Sequence, residues 1–337
     1  MINVPVVVLD KKGKPVSGLT QDDFALQVDG HPATIGYFSR AASMLITLGI
    51  LVDTGESRYN VIGEERDASS AFLDQMLSTA QDRAFVVQFS RQTELLQDLT
   101  NSRPRLQRAL QELGTSNPSA ASVDDDSGSG HRAGNTLYDA LFLASDQLIA
   151  KRQGRKVLIV LSTGVDRGSK EDLNSAIEAA QRANTIVYAL YFKGEEPERQ
   201  RDDNQRGSRG GSYPRGGVGL PGSYPGGYPG GYPGGYPGGN PGGGGGRGQR
   251  PTPEAHADGR KTLERMAEQT GGRFFEVSKK QPVSDIYSKI VADLRAEYRL
   301  GFAPNQAATT DGYHQVGVSL KRKDLFAQAR DGYYMGK

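Results

Sequence analysis

Apolar and polar positions follow two rhythms along this chain. From Ser43 to Tyr298, short and nearly continuous apolar runs alternate with longer stretches whose apolar residues recur every three or four positions. The flanking segments instead alternate apolar and polar residues. The first rhythm is that of buried strands and amphipathic helices, and the second that of half-buried strands. In the opening flank, Val4 to Leu9 predicts a strand, Asp10 to Pro15 a turn, and Phe24 to Val28 a second strand ending in a turn at Asp29-Gly30. Thr20 and Asp23 have the spacing of a helix cap around a short helical turn.

Within the central region the predicted strands are Met44 to Val52, Ala84 to Phe89, Lys156 to Leu161, Thr185 to Phe192 and Arg273 to Val277. Glu94 to Leu99 reads as the hairpin partner of the second. The predicted helices include one in which Ala68, Phe72 and Met76 share a face, then Arg105 to Leu113, Thr136 to Ile149, Lys170 to Ala183, Thr262 to Gln269 and Val283 to Tyr298. Strands alternating with helices imply a doubly wound, mostly parallel sheet covered on both faces. After Arg299 the chain returns to β character, with Val316, Val318 and Leu320 alternating. The expected fold is therefore α/β, with a small β domain built from the N- and C-terminal segments. Expected boundaries are 1–42 and 299–337 for that β domain, and 43–196 with 258–298 for the α/β domain.

Between them, residues 197–257 are dominated by Pro, Gly, Arg and Tyr, including Tyr224-Pro225-Gly226-Gly227 repeated through Gly239. Such a segment buries too little apolar surface to offset its ordering entropy, so a disordered insertion is expected. Regularly spaced tyrosines also suit weak self-association or glycan contact. Arginine-glycine pieces near Arg206, Arg209 and Arg215 are few, and no folded nucleic-acid motif accompanies them.

Composition narrows the chemistry. A net charge of +2 does not argue for a polyanion partner, and the absence of cysteine excludes disulfides, thiolate metal sites and cysteine nucleophiles. No apolar run approaches the ~20 residues that span a bilayer. The chain opens on strand-forming residues, with no signal peptide visible. His31, His131, His256 and His314 show no paired helical spacing, Ser57 lacks a nucleophile elbow, and the glycines lack a phosphate-loop ending. A non-enzymatic protein is expected.

The most informative stretch is Leu48 to Ser57, where an apolar strand delivers Asp53 into a loop of small polar residues. That is how a parallel sheet presents a ligand or metal site at its carboxyl edge. Gly134-Asn135-Thr136-Leu137-Tyr138-Asp139-Ala140 and Val157 to Gly164 supply two further loops. Together the three resemble the site loops of a von Willebrand factor type A domain. The flanks extend this likeness to the bacterial von Willebrand factor A-related acidobacterial domain family. Val6-Val7-Val8, Gly18-Leu19-Thr20 and Asp23-Phe24 are similar to that family's opening. Thr270 to Arg273, Tyr298 to Phe302 and Ala329 to Tyr333 are similar to its closing segments.

What the resemblance implies is a metal-ion-dependent adhesion site, in which an Asp-x-Ser-x-Ser loop, a Thr and a second Asp hold Mg²⁺ or a similar hard cation and leave one position for an acidic group on the partner. Hard cations prefer oxygen ligands. On that pattern the metal residues are Asp53, Ser57 and Thr136, with Asn135 an alternative register for the Thr. Thr163 and Asp166 join them as ligand-binding residues. Gly55 stands where a Ser belongs and Thr163 where the final Asp belongs, so one carboxylate remains where the pattern has two. Asp166 or Glu56 are candidates to compensate. The expectation is a degenerate site whose affinity for Mg²⁺, Mn²⁺ or Ca²⁺ is weak or absent. On the bland reading, Asp53 bonds to loop amides, Ser57 and Thr136 cap helices, and the acidic run Asp124 to Asp126 is solvated. The implied function is protein binding or adhesion outside the cytoplasm, with a secreted, periplasmic or cell-surface location. The rival is a self-assembling surface protein in which this domain is scaffold and the insertion or β edges make the contacts.

Overall fold

The structure, a computed structural model, describes residues 1–40, 44–55, 62–115, 135–193, 253–304 and 311–336. The chain divides into one unit of residues 1–195 with 250–337 and a second of 196–249. The second unit, and with it the expected insertion up to residue 252, lies outside the described residues.

The first unit opens with β1 (Ile2–Asp10), a short 3₁₀ turn at Gln21–Asp23, then β2 (Phe24–Val28), β3 (His31–Ala33) and β4 (Tyr37–Arg40). The carboxylate of Asp23 accepts from the Thr20 N–H at 2.8 Å and from its hydroxyl at 3.1 Å, which fixes the turn. Asp29 and Gly30 both have positive φ, 50° and 77°, as the two-residue turn between β2 and β3 requires.

The central region runs β5 (Ile46–Asp53), α1 (Ile62–Met76), β6 (Arg83–Phe89), β7 (Thr93–Thr100), α2 (Arg103–Gln111), α3 (Leu137–Leu143), β8 (Arg155–Ser162), α4 (Leu173–Arg182), β9 (Ile186–Phe192), α5 (Pro253–Thr270), β10 (Phe274–Val277) and α6 (Val283–Ala296). Six strands form one sheet in the order β10-β9-β8-β5-β6-β7, parallel except for the antiparallel edge strand β7. All eight residues of β5 are buried because the sheet is covered on both faces. Leu48, Ile50 and Val52 face a core shared with α1, α2 and α6, whereas Leu51, Leu158 and Val160 face α3, α4 and α5.

Winding continues directly beyond α3, where Ala144–Ile149 form a π-helical segment, so the helix expected over Thr136 to Ile149 is present in two windings. Helix α5 is longer than expected and starts at Pro253, inside the segment assigned to the insertion. Helix α6 is shorter. It stops at Ala296, Glu297 turns the chain, and Tyr298 opens a strand instead of closing a helix. The ring of Tyr298 is buried among Phe24 and Phe38, and its hydroxyl donates to the Val16 carbonyl while accepting from the Leu19 N–H, both at 3.1 Å.

The closing strands are β11 (Tyr298–Phe302), β12 (Gly312–Leu320), β13 (Leu325–Ala329) and β14 (Gly332–Met335). They combine with the opening ones into two four-stranded sheets, β13-β1-β11-β4 and β14-β12-β2-β3. Val4, Val6, Val8, Leu26, Leu300 and Phe302 meet in a third core between these sheets. Polar bonds tie the closing segment to β1 and to the central helices. The buried Arg330 donates to the Asn3 carbonyl at 2.8 Å, and Gln181 of α4 donates to Asp331 at 2.9 Å and to the Gln269 carbonyl at 2.7 Å.

Candidate functional site at the carboxyl edge of the central sheet

Strand order reverses between β5 and β8, whose outer neighbours β6 and β9 are wound in opposite directions. Such a switch point opens a crevice at the carboxyl ends of the strands, where parallel α/β sheets bind ligands. Asp53 is the last residue of β5 and Ser162 the last of β8, so both stand at that point.

Asp53 is 1% exposed and its carboxylate is surrounded by donors. Oδ1 accepts from the Gly55 N–H at 3.0 Å. Oδ2 accepts from the Asn135 side-chain amide at 2.9 Å, the Ser162 hydroxyl at 2.8 Å and, more weakly, the Thr163 N–H at 3.4 Å. Three loops therefore converge on one carboxylate, and hydrogen bonds to an ionised acceptor are the strong kind. The Ser162 oxygen in turn accepts from the Gly164 N–H at 3.0 Å, which locks the start of the third loop.

The second and third loops are also tied to each other. The Asn135 carbonyl accepts from the N–H groups of Arg167 and Gly168 at 3.0 and 3.1 Å. Asp166 accepts from the Tyr138 N–H in the first turn of α3 at 3.0 Å and from the Ser169 hydroxyl at 2.5 Å. Asp139 accepts from the N–H groups of Lys170 and Glu171, both at 2.9 Å. These two carboxylates satisfy donors at a helix start and in a loop.

Of the residues singled out by sequence, Asp53 and Thr163 are in contact, but Thr163 contributes only its N–H. Thr136 is bonded elsewhere: its hydroxyl meets the Thr93 hydroxyl at 3.0 Å and the Ser90 carbonyl at 3.3 Å, so it pins the second loop to the β6–β7 turn. Asn135, the alternative register, takes the place beside Asp53. Asp166 faces α3. Ser57, Glu56 and the acidic run 124–126 lie outside the described residues. Ser162 carried no sequence role, although a small hydroxyl residue closing an otherwise apolar strand was the available signal.

Residues 48–166, from within β5 to the loop after β8, match the family model of the von Willebrand factor type A domain. The chain carries a von Willebrand factor type A domain. No curated protein matches it. Among solved structures it is similar to the conserved hypothetical protein BatB from Bacteroides thetaiotaomicron, with 13% identity and a TM-score of 0.44 over 74% of this chain and 98% of that one. It is also similar to a von Willebrand factor type A protein from Catenulispora acidiphila, with 10% identity and a TM-score of 0.45 over 94% and 74%. A third is proximal thread matrix protein 1 from the mussel byssus, in a form with a zinc-occupied MIDAS motif. It has 11% identity and a TM-score of 0.46 over 80% of this chain, and the match spans half of that protein.

The described residues of this von Willebrand factor A domain do not fit a divalent ion. A hard cation needs several oxygens turned toward it, whereas the Asp53 oxygens are turned to N–H and O–H donors, one on Oδ1 and three on Oδ2. Gly55 brings no side-chain oxygen, Thr163 brings no carboxylate, and Asp166 and Thr136 are engaged with other partners. Among the described residues, no three His, Asp or Glu side chains gather as a metal group. No helix among them is long and apolar enough to cross a membrane.

Proposed function

We propose that this chain is a non-enzymatic protein-binding or adhesion module that uses the carboxyl edge of its A-type sheet, with a degenerate adhesion site. Domains of this type are characteristically non-catalytic interaction modules. The observation that carries the reading is the convergence of three loops on Asp53 at the switch point, which presents a rigid surface where such sheets take their ligands. Arg167 and Lys170 are exposed on the third loop. In this reading an acidic group on a protein partner is met by Arg167 and Lys170 in place of a shared cation. The two flanking β sheets act in this reading as a supporting β domain. The resemblance of the flanks to the acidobacterial family favours a secreted, periplasmic or cell-surface setting.

Site-specific photocrosslinking in the cells that make the chain tests the proposal. A crosslinker at Arg167 should trap a protein that one at the exposed Lys323 does not. Equal trapping from both positions would count against the edge.

A self-assembling surface protein is the second reading. It is favoured by the Tyr-Pro-Gly-Gly repeat and by Tyr37 and Leu95, both 44% exposed on the edge strands β4 and β7. Deletion of residues 204–250 that abolishes assembly while the remaining chain stays folded would support it over the first.

A further inference from the structure

Around Asp53 the protein supplies what a cation would supply. A buried carboxylate needs compensating positive charge or hydrogen-bond donors, and here four donors from three separate segments meet its two oxygens, one on Oδ1 and three on Oδ2. Asn135 is the telling residue. Its amide nitrogen lies 2.9 Å from Asp53 Oδ2, and its main-chain carbonyl holds the third loop through Arg167 and Gly168. The amide nitrogen at that distance takes up the direction from which a cation would approach Oδ2, while the amide oxygen of Asn135 has no hydrogen-bond partner among the described residues. Among the described residues, the other side-chain oxygens of these loops have bonds elsewhere: Asp166 to α3 and Ser169, Asp139 to residues 170 and 171, Thr136 to Thr93.

We infer that the carboxyl edge of this domain is closed by a metal-free latch, in which the Asn135 amide and the Ser162 hydroxyl take over the electropositive role of the divalent ion and hold the three loops in one arrangement without any ion. The latch deepens the proposed reading only in its consequence, which is that partner capture at this edge does not respond to chelators. The latch itself stands on the geometry and is tested without a partner.

The test is thermal unfolding of the full chain in EDTA and in excess Mg²⁺, Mn²⁺ or Ca²⁺, with titration calorimetry of the same ions. The wild-type chain should show the same Tm in all four and no binding heat. Asp53→Asn, which keeps the shape but loses the charge that the donors surround, should lower Tm by about 5–10 °C equally with and without ions. Asn135→Asp places a second carboxylate against the first, so its Tm should fall in EDTA and recover in Mn²⁺ or Mg²⁺, because like charges at that distance need a cation between them. Ser162→Ala removes one donor without adding charge and guards against an Asn135→Asp chain that does not fold; it should lose a few degrees irrespective of ions. A wild-type Tm raised by an ion, with the rise lost in Asp53→Asn, would overturn the latch. So would an Asn135→Asp chain that folds and is indifferent to ions, or a Ser162→Ala chain that ions rescue. None of these outcomes bears on whether the edge at Arg167 captures a partner.

Discussion

Gly164 and Gly259 lie backbone against backbone, the first in the loop after β8 and the second in the first half of α5. A Cβ on Gly164 would fall inside the carbonyl of Gly259, and one on Gly259 would fall inside the carbonyl of Thr163. Gly164 also has φ of +72°, which side chains rarely adopt. This contact fixes α5 against the loop that supplies Ser162 and Thr163 to Asp53. Gly259→Ala should therefore cost about 1–3 kcal/mol by overpacking, and Gly164→Ala more, because backbone strain adds to the overlap. Urea unfolding of the two variants checks the order. A Gly164→Ala chain as stable as the wild type would show that the helix can move away from the loop freely.

Asp166 and Asp139 are bonded across the second and third loops and not to Asp53. Removing either carboxylate leaves donors at the start of α3 or in the loop after β8 without partners. Asp166→Ala and Asp139→Ala should each lower stability by about 1–2 kcal/mol, the range of helix caps. If Asp166 compensated for the carboxylate missing at Thr163, Asp166→Ala would alter a response to Mg²⁺. The expectation here is a drop in Tm of equal size in Mg²⁺ and in EDTA.

At the joint between α6 and β11, Glu297 is buried and neither carboxylate oxygen has a hydrogen-bond partner among the described residues. Burial pushes its pKa up to about 7, against the pull of Arg155 and Arg299. A carboxyl raised in the folded state holds its proton longer there than in the unfolded chain, so ionisation works against folding. Its contribution is most favourable below the ordinary value of 4.5 and is lost as pH rises through about 7. Glu297→Gln should flatten stability between those two values, removing a slope worth on the order of 3 kcal/mol in total. Chemical denaturation across that window measures it, and a variant with the wild-type slope would assign the titration to another group.

Much of this architecture was legible because each element obeyed a single period. Met44 to Val52 and Lys156 to Leu161 read as buried strands, and the face shared by Phe72 and Met76 is the one packed on the sheet. The end of α6 was not legible, since Tyr298 continues the helical spacing of Ile290, Val291 and Leu294. Only the third core, assembled from the two ends of the chain, shows why its ring turns away. At the site, the strand that delivers Asp53 could be read, but the choice between Asn135 and Thr136 could not. That choice depends on a loop rotation set by Thr93 and Ser90, which are more than forty residues away in sequence.

Arg273, just before β10, forms an ion pair with the buried Asp293 of α6. One guanidinium nitrogen reaches both carboxylate oxygens at 3.0 Å, and the same guanidinium lies 4.9 Å from the ring centre of Phe275. Asp293 is 0% exposed, and burial raises its carboxyl to about 6 even with the arginine beside it. Removing the arginine strands a charge that the interior does not solvate, which typically costs about 3–5 kcal/mol. Arg273→Met should therefore destabilise strongly at neutral pH and partly recover in acid, where Asp293 takes up a proton, because a raised carboxyl favours the folded state only while protonated. Adding Asp293→Leu to Arg273→Met should restore much of the loss and remove the recovery in acid, since no buried charge remains. A double variant no more stable than Arg273→Met would mean that the arginine acts through its packing on Phe275 and not through its charge. Urea titrations of the three chains at acid and neutral pH separate the two.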